Sequence, residues 1–294
     1  MTLSLPALAG PQHGSSRHGG RAGTAAAVSA LLACLLLVAV GAGWRLTGGS
    51  WAVIETPSMG RAAPVGTLIL TRPAALEHIQ VGDVLTYRPR NARQSLYTHR
   101  VVAKPTSRTA QVQGDINGTP DPFPVGQEDL VGKVVARWIG VGWLVRALPT
   151  VLLAVVVLLV ATGRYVPPRW RSSVRILGTC LTFAATSLLL RPFVHPILIA
   201  VTDDGSGPLA SVVSGGLLPI RVTGADGNHV DLSAGETGVV RVAAQQAGGA
   251  LMVNGSPNLH GWWLVATIAV SLLPMLWCAL VGIATEEKSQ VDPG

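Results

Sequence analysis

The 294-residue chain is 49% hydrophobic and 13% charged, where soluble domains carry about 25% charged residues, so it reads as membrane spans joined by external segments. Its formal net charge of +7 is spread along the chain without an RNA- or DNA-binding motif, which argues against nucleic acid and for attraction to anionic lipid. The three cysteines, Cys34, Cys180 and Cys278, all fall in apolar runs, with no His or Cys partner at ligand spacing; neither an external disulfide nor a metal site is expected.

Residues 1–21, rich in Gly, Pro, Ser, His and Arg, read as a disordered cytoplasmic tail. A charge-free run from Ala22 to Ala42 follows, long enough for a bilayer crossing of about 20 residues. It gives a first transmembrane helix over 22–43. Its core is longer than the roughly 7–15 apolar residues of a cleavable signal, which favours a retained anchor, although the small residues Ala39–Ala42 leave cleavage open.

Segment 44–146 is expected to be an external, mostly antiparallel β domain. Its β-prone runs are Trp51–Ile54, Thr67–Thr71, Asp83–Arg88, Tyr97–Ala103, Ala110–Gln113 and Leu130–Trp138, punctuated by Gly, Pro and Asn. Trp44, Trp51, Trp138 and Trp143 flank it and suit a bilayer interface, or alternatively a core. A second span is expected over 147–163, with Ile139–Val145 extending it upstream. A basic cytoplasmic loop follows over 164–175, then a less certain third span over 176–190. A second external β-rich module is expected over 191–261, with strands at Ile220–Thr223, His229–Leu232, Val239–Val242 and Leu251–Val253 and turns at Asp226-Gly227 and Asn254-Gly255. This module reads as a spacer more readily than as a binding unit. The fourth span, 262–284, precedes a cytoplasmic tail over 285–294. Arg17 and Arg21 ahead of the first run, and Arg164, Arg169, Arg171 and Arg175 in the basic loop, place those segments inside and both β units outside.

The chemistry concentrates in the first β unit. Ser58 follows the first span, His99 lies about forty residues on, and Asp115 and Asp121 follow. A serine hydroxyl needs a neighbouring base to accept its proton, an imidazole can serve near neutral pH, and a carboxylate can hold the imidazole in the right tautomer. The residues alone do not decide between Asp121 and Asp115 as the orienting acid. The sequons Asn117-Gly118-Thr119 and Asn254-Gly255-Ser256 carry little weight.

Five ordered motifs surround these residues: Glu55-Thr56-Pro57-Ser58-Met59, Val81-Gly82-Asp83-Val84-Leu85-Thr86-Tyr87, Thr98-His99-Arg100-Val101-Val102, Gly114-Asp115-Ile116-Asn117 with Asp121, and Leu130-Val131-Gly132-Lys133-Val134. Together, over roughly residues 50–140, they resemble the type I signal peptidases, and within them the endoplasmic-reticulum, archaeal and SipW-like branch that uses Ser and His. The resemblance implies a mainly β, signal-peptidase-like catalytic domain anchored by transmembrane α-helices, and removal of signal peptides from exported preproteins without metal or organic cofactor. Ser58 matches the nucleophile, His99 the base, Asp121 the third catalytic residue and Asp115 a second acidic position nearby. The Ser58 N–H is a candidate oxyanion donor, and Thr56 matches a position where related enzymes place a hydroxyl, the alternative being an ordinary strand threonine. Lys104 and Lys133 do not stand where the lysine of the common bacterial branch is found. The chain departs from the family pattern at Pro57, at Gly60-Arg61 after Met59, and at Gly66-Thr67.

The apolar runs and the Arg-rich short segments make this a multi-pass protein with its catalytic domain on the extracytoplasmic side, with a bacterial plasma membrane preferred and an archaeal or endoplasmic-reticulum membrane compatible with the same geometry; the expected partners are the lipid bilayer, preproteins and the secretion machinery. The competing expectation is a non-catalytic scaffold or substrate-presenting protein that retains the fold. A transporter is disfavoured because the spans lack buried charges and paired broken helices.

Overall fold

The computed structural model describes Leu32, Leu36 and residues 39–224, 227–242 and 255–272. Most of the first apolar run, the second half of the fourth, the expected strand Leu251–Val253, both tails and the residues Asp226, Asn254, Cys34 and Cys278 lie outside these. The chain divides into two units, 1–49 and 50–294.

Within the first unit, residues 39–46 are helical and stop at a glycine cap. Gly48 takes φ +77°, and the Gly49 N–H bonds the Trp44 carbonyl at 3.0 Å, so carbonyls left over at the helix end find donors.

The second unit is mainly β. Its larger sheet has seven strands: β1 (Ser50–Val53), β2 (Leu68–Arg72), β3 (Val84–Tyr87), β4 (Tyr97–Thr106), β5 (Thr109–Gln113), β6 (Val125–Gly126) and β7 (Leu130–Trp138). They pair antiparallel in the order β1-β2-β7-β3-β4-β5-β6 and curl, leaving β1 an edge. Residues two apart in a strand share a face, and Leu85 with Tyr87 and Ala110 with Val112 join Val101 and Val125 in one buried cluster. A second cluster, Ile54, Met59, Ala63 and Ile69, lies at the β1–β2 end. The two-residue β6 was not foreseen, because Pro122, Phe123 and Pro124 ahead of it leave too short a run to carry an alternation.

Strand β7 gives way within two residues to helix α1 (Val141–Tyr165). The start of α1 is fastened to the sheet. Trp143 is 6% exposed, so of the flanking tryptophans this one is a core residue, whereas Trp51 and Trp138 are exposed. Gly66, at φ +83°, leaves the space for the indole: a Cβ there would lie 2.0 Å from Trp143 Nε1. The Gly142 N–H bonds the Gly66 carbonyl at 2.9 Å.

Helix α2 (Pro168–Leu190) follows almost at once, so the expected basic loop 164–175 is instead the joined ends of two helices. Pro168 sits at the start of α2, where its missing N–H costs nothing. The arginines are used locally. Arg171 donates to the Val166 and Gly163 carbonyls, and Arg175 to Thr162 Oγ1, satisfying acceptors at the C-terminus of α1. Both α1 and α2 are long and apolar enough to cross a membrane, and α2 begins eight residues ahead of the apolar run at Ile176. Only Trp262–Leu272, here α3, is described of the fourth run.

The second β module has two three-stranded sheets. One has β8 (Pro196–Asp203), β9 (Pro208–Ser214) and β12 (Thr237–Arg241), in the order β12-β9-β8; the other has β10 (Ile220–Thr223), β11 (His229–Leu232) and β13 (Gly255–Pro257), in the order β11-β10-β13. The β8–β9 hairpin was not among the expected strands. Its residues continue the apolar character of α2, which hides the change from helix to strand at the αL residue Arg191. Ala210, Val212, Ile220, Val222, Leu232 and Val240 form the module's core.

Gly66→Ala should destabilise the protein by more than the roughly 1–2 kcal/mol that a left-handed residue costs, because it also displaces Trp143. Gly82→Ala, at φ +97° with no atom near its Cβ, should cost only that strain. Thermal unfolding of both variants in detergent measures the difference.

Candidate functional site

Ser58 stands on a 3-10 turn, Pro57–Ala62, between β1 and β2. Pro57 opens the turn, with its fixed φ pre-set and its absent N–H not needed, so this departure from the family motif suits the local backbone. Met59, the next side chain, is 1% exposed, and its burial contributes about 1.5–3 kcal/mol to holding the turn down. Gly60 then takes φ 50°, ψ −135°, which a side chain would not tolerate. On the other side, the Ser58 carbonyl accepts from the Ile116 N–H at 3.0 Å.

His99 comes from β4, two positions along from Tyr97, which pairs with Tyr87 of β3. Tyr87, Tyr97 and His99 therefore share one face of the sheet, with ring centroids about 6 Å apart. His99 is 6% exposed. Asp121 lies beyond β5, with its N–H bonded to the Val112 carbonyl at 2.8 Å.

The three side chains meet. His99 Nε2 is 3.0 Å from Ser58 Oγ, and His99 Nδ1 is 2.7 Å from Asp121 Oδ2. A carboxylate only accepts, so Nδ1 carries the proton and the Nε2 lone pair faces the serine hydroxyl. Such an arrangement can draw the serine proton as the oxygen attacks.

The two aspartates separate cleanly. Asp115 is held by Arg100, whose Nε and Nη2 donate to its two oxygens at 2.9 and 2.7 Å, so it fastens the 114–117 turn to β4 beside His99. Lys104 donates to the Leu76 and Ile79 carbonyls at 2.7 and 2.8 Å, and Lys133 pairs with Asp83 at 2.7 Å. Neither lysine is available to Ser58.

Tyr87 was missed as a site residue. Its hydroxyl donates to Asp121 Oδ2 and lies 3.1 Å from His99 Nδ1. In the sequence it is one aromatic in an alternating strand, and only the β3–β4 register reveals its position. Burial, with the hydrogen bond to Asp121 and that carboxylate's charge, raises the phenol well above its ordinary value.

Thr56 and Ser58 line an open groove of about 700 Å³, with Ala52–Glu55 along one wall and Gln94–His99 along the other. Thr56 caps the 3-10 turn through its backbone alone, and the Ser58 N–H lies in the first turn, where a helix supplies no acceptor. Both residues line the groove. A smaller cavity of about 280 Å³, lined by Tyr87, Tyr97, Asp121 and Phe123, adjoins the other side of His99. Among the described residues no cluster of His, Cys, Asp and Glu is arranged to hold a metal ion.

Tyr87→Phe should preserve packing but remove one donor from Asp121, lowering any reaction of Ser58 by about tenfold. Because the folded phenol titrates above its unfolded value, neutral Tyr87 stabilises the fold below about pH 10 and this contribution is lost as the pH rises further. The Tyr87→Phe and wild-type ultraviolet titrations should therefore coincide up to about pH 11. In sequence comparison the chain matches none of the protein-family models and none of the curated proteins.

Proposed function

We propose that this protein is a membrane-bound serine endopeptidase that removes signal peptides from exported preproteins. The observation that carries the reading is the unbroken Ser58–His99–Asp121 chain of contacts at 3.0 and 2.7 Å, set at the end of a groove that runs past the end of β1, the outermost strand of the sheet order. The order of the motifs around it supports the same reading, as do two helices able to cross a membrane.

Ile54 bonds inward to Thr67 and Gly66, so the backbone groups of Val53 and Glu55 face away from β2 toward the groove. An extended cleavage region adds there as a strand, with alternate side chains directed at the wall and small residues accepted next to the scissile bond. Ser58 Oγ attacks the carbonyl while its proton passes to His99 Nε2; the proton is then given to the leaving amine. Asp121 stabilises the imidazolium. The Ser58 N–H and Thr56 meet the developing oxyanion. Water resolves the acyl-enzyme with His99 again as base.

On this proposal the spans make a multi-pass protein of the plasma membrane, with both β units outside. Confinement to one surface raises the effective concentration of anchored substrates. A non-catalytic scaffold is the alternative, and it gives no role to the Ser58–His99–Asp121 chain of hydrogen bonds.

Co-expression of a preprotein panel with wild type and with Ser58→Ala, followed by mass spectrometry of new N-termini, should show wild-type-only cuts after small residues. No difference, with both proteins inserted, would favour the scaffold. Ser58→Ala and His99→Ala should each abolish processing. Asp121→Asn should cost on the order of 10⁴-fold, as loss of the orienting acid does in serine proteases, and Asp115→Asn far less. Labelling of Ser58 by a serine-reactive acylating probe gives the same ranking independently of substrate.

A further inference from the structure

The second β module touches the turn that carries Ser58. Gly235, in the turn between β11 and β12, takes φ +74°, and a Cβ there would lie 2.4 Å from the Gly60 carbonyl oxygen and 2.9 Å from the Arg61 nitrogen. The contact is backbone against backbone, two residues from the Ser58 hydroxyl.

The Gly235 turn is itself rigidly held. Its N–H bonds the Ser214 carbonyl at 2.7 Å, the Ser214 N–H bonds the Glu236 carbonyl at 3.0 Å, and Glu236 N–H bonds Ser233 at 2.9 Å. Glu236 links the two parts: Oε2 accepts from the Ser233 N–H at 3.0 Å, and Oε1 lies 3.7 Å from Arg61. A separate contact joins the module to the end of the sheet, where a Cβ on Gly140 would meet Leu217 at 2.9 Å.

From this geometry we infer that the second β module is a positioning element for Ser58. Its 233–237 turn and the 114–117 turn hold the Pro57–Ala62 turn from two sides. Gly60 takes a conformation that a side chain would not tolerate, with the Ile116 side chain close on one side, where the Ile116 N–H also holds the Ser58 carbonyl, and the Gly235 turn close on the other. The Gly235 turn closes the other end. Gly235 is a positioning residue, acting through Gly60, and the module is more than a spacer between the last spans. The rate readouts below rest on the endopeptidase reading; amide exchange does not.

The test uses the full chain in detergent. Gly235→Ala places a methyl group against Gly60, whereas Gly205→Ala introduces comparable left-handed strain, at φ +88°, in the same module with no atom within 4 Å. Gly235→Ala should slow acylation of Ser58 and lower kcat by about tenfold or more with little change in KM, while Gly205→Ala leaves both near wild type. Amide exchange over 56–63 should accelerate in Gly235→Ala alone. Arg61→Glu, which sets two carboxylates against each other, should slow acylation about twofold to fivefold, and adding Glu236→Gln should restore it; this pair leaves Gly235 untouched and so tests the contact independently of whether Gly235→Ala folds. Unchanged exchange over 56–63 in Gly235→Ala overturns the inference, as does failure of Glu236→Gln to rescue Arg61→Glu. If the probe never labels wild-type Ser58, the endopeptidase reading falls and the exchange result alone decides whether the module holds the turn.

Discussion

A carboxylate withdrawn from water must be solvated by the protein around it, and the site depends on how that is done for Asp121. Its Oδ2 accepts from both His99 and Tyr87. These two donors lie on adjacent antiparallel strands, so the register of β3 against β4 sets their spacing. The acceptor comes from the far side of β5, tied by its own N–H to Val112. Three separate pieces of chain thus converge on one oxygen. The same hydrogen bond from His99 decides which imidazole nitrogen is free to face Ser58. Sheet pairing and proton placement are consequently one problem in this molecule.

Ser58 arrives from a different direction and by different physics. No sheet bond fixes it. Met59 seats the turn in a small apolar cluster, Gly60 permits the bend, and the Ile116 N–H restrains the carbonyl of Ser58 itself. A turn without a sheet ladder keeps one geometry only where its neighbours hold the backbone. The close approach of Gly114, where a Cβ would lie 2.8 Å from the Ser58 carbonyl, shows how little slack the neighbours leave.

Much of this was legible in the sequence, and the reasons are specific. Strands such as Asp83–Arg88 and Tyr97–Ala103 show as β-prone runs set off by Gly, Pro and Asn, a local composition that survives although both faces of β3 are buried. Ser58 and His99 stand out because their residue types sit in distinctive local motifs. What stayed hidden depends on pairing between distant segments. Tyr87 looks like any core aromatic until it is set opposite Tyr97. Asp115 and Asp121 are indistinguishable by spacing, and Arg100 separates them by taking one. The β8–β9 hairpin was concealed by its composition, which continues that of the helix before it. The contact between Gly235 and Gly60 has no local sign at all, since it is made by two residues without side chains.

The two-residue passage from β7 into α1 carries a mechanical consequence. With Trp143 wedged beneath Gly66 and Gly142 bonded to the same glycine, the junction has no swivel. The start of α1 is fastened to the loop that leads into β2, so helix and sheet share one anchorage at Gly66 and no slack linker separates them.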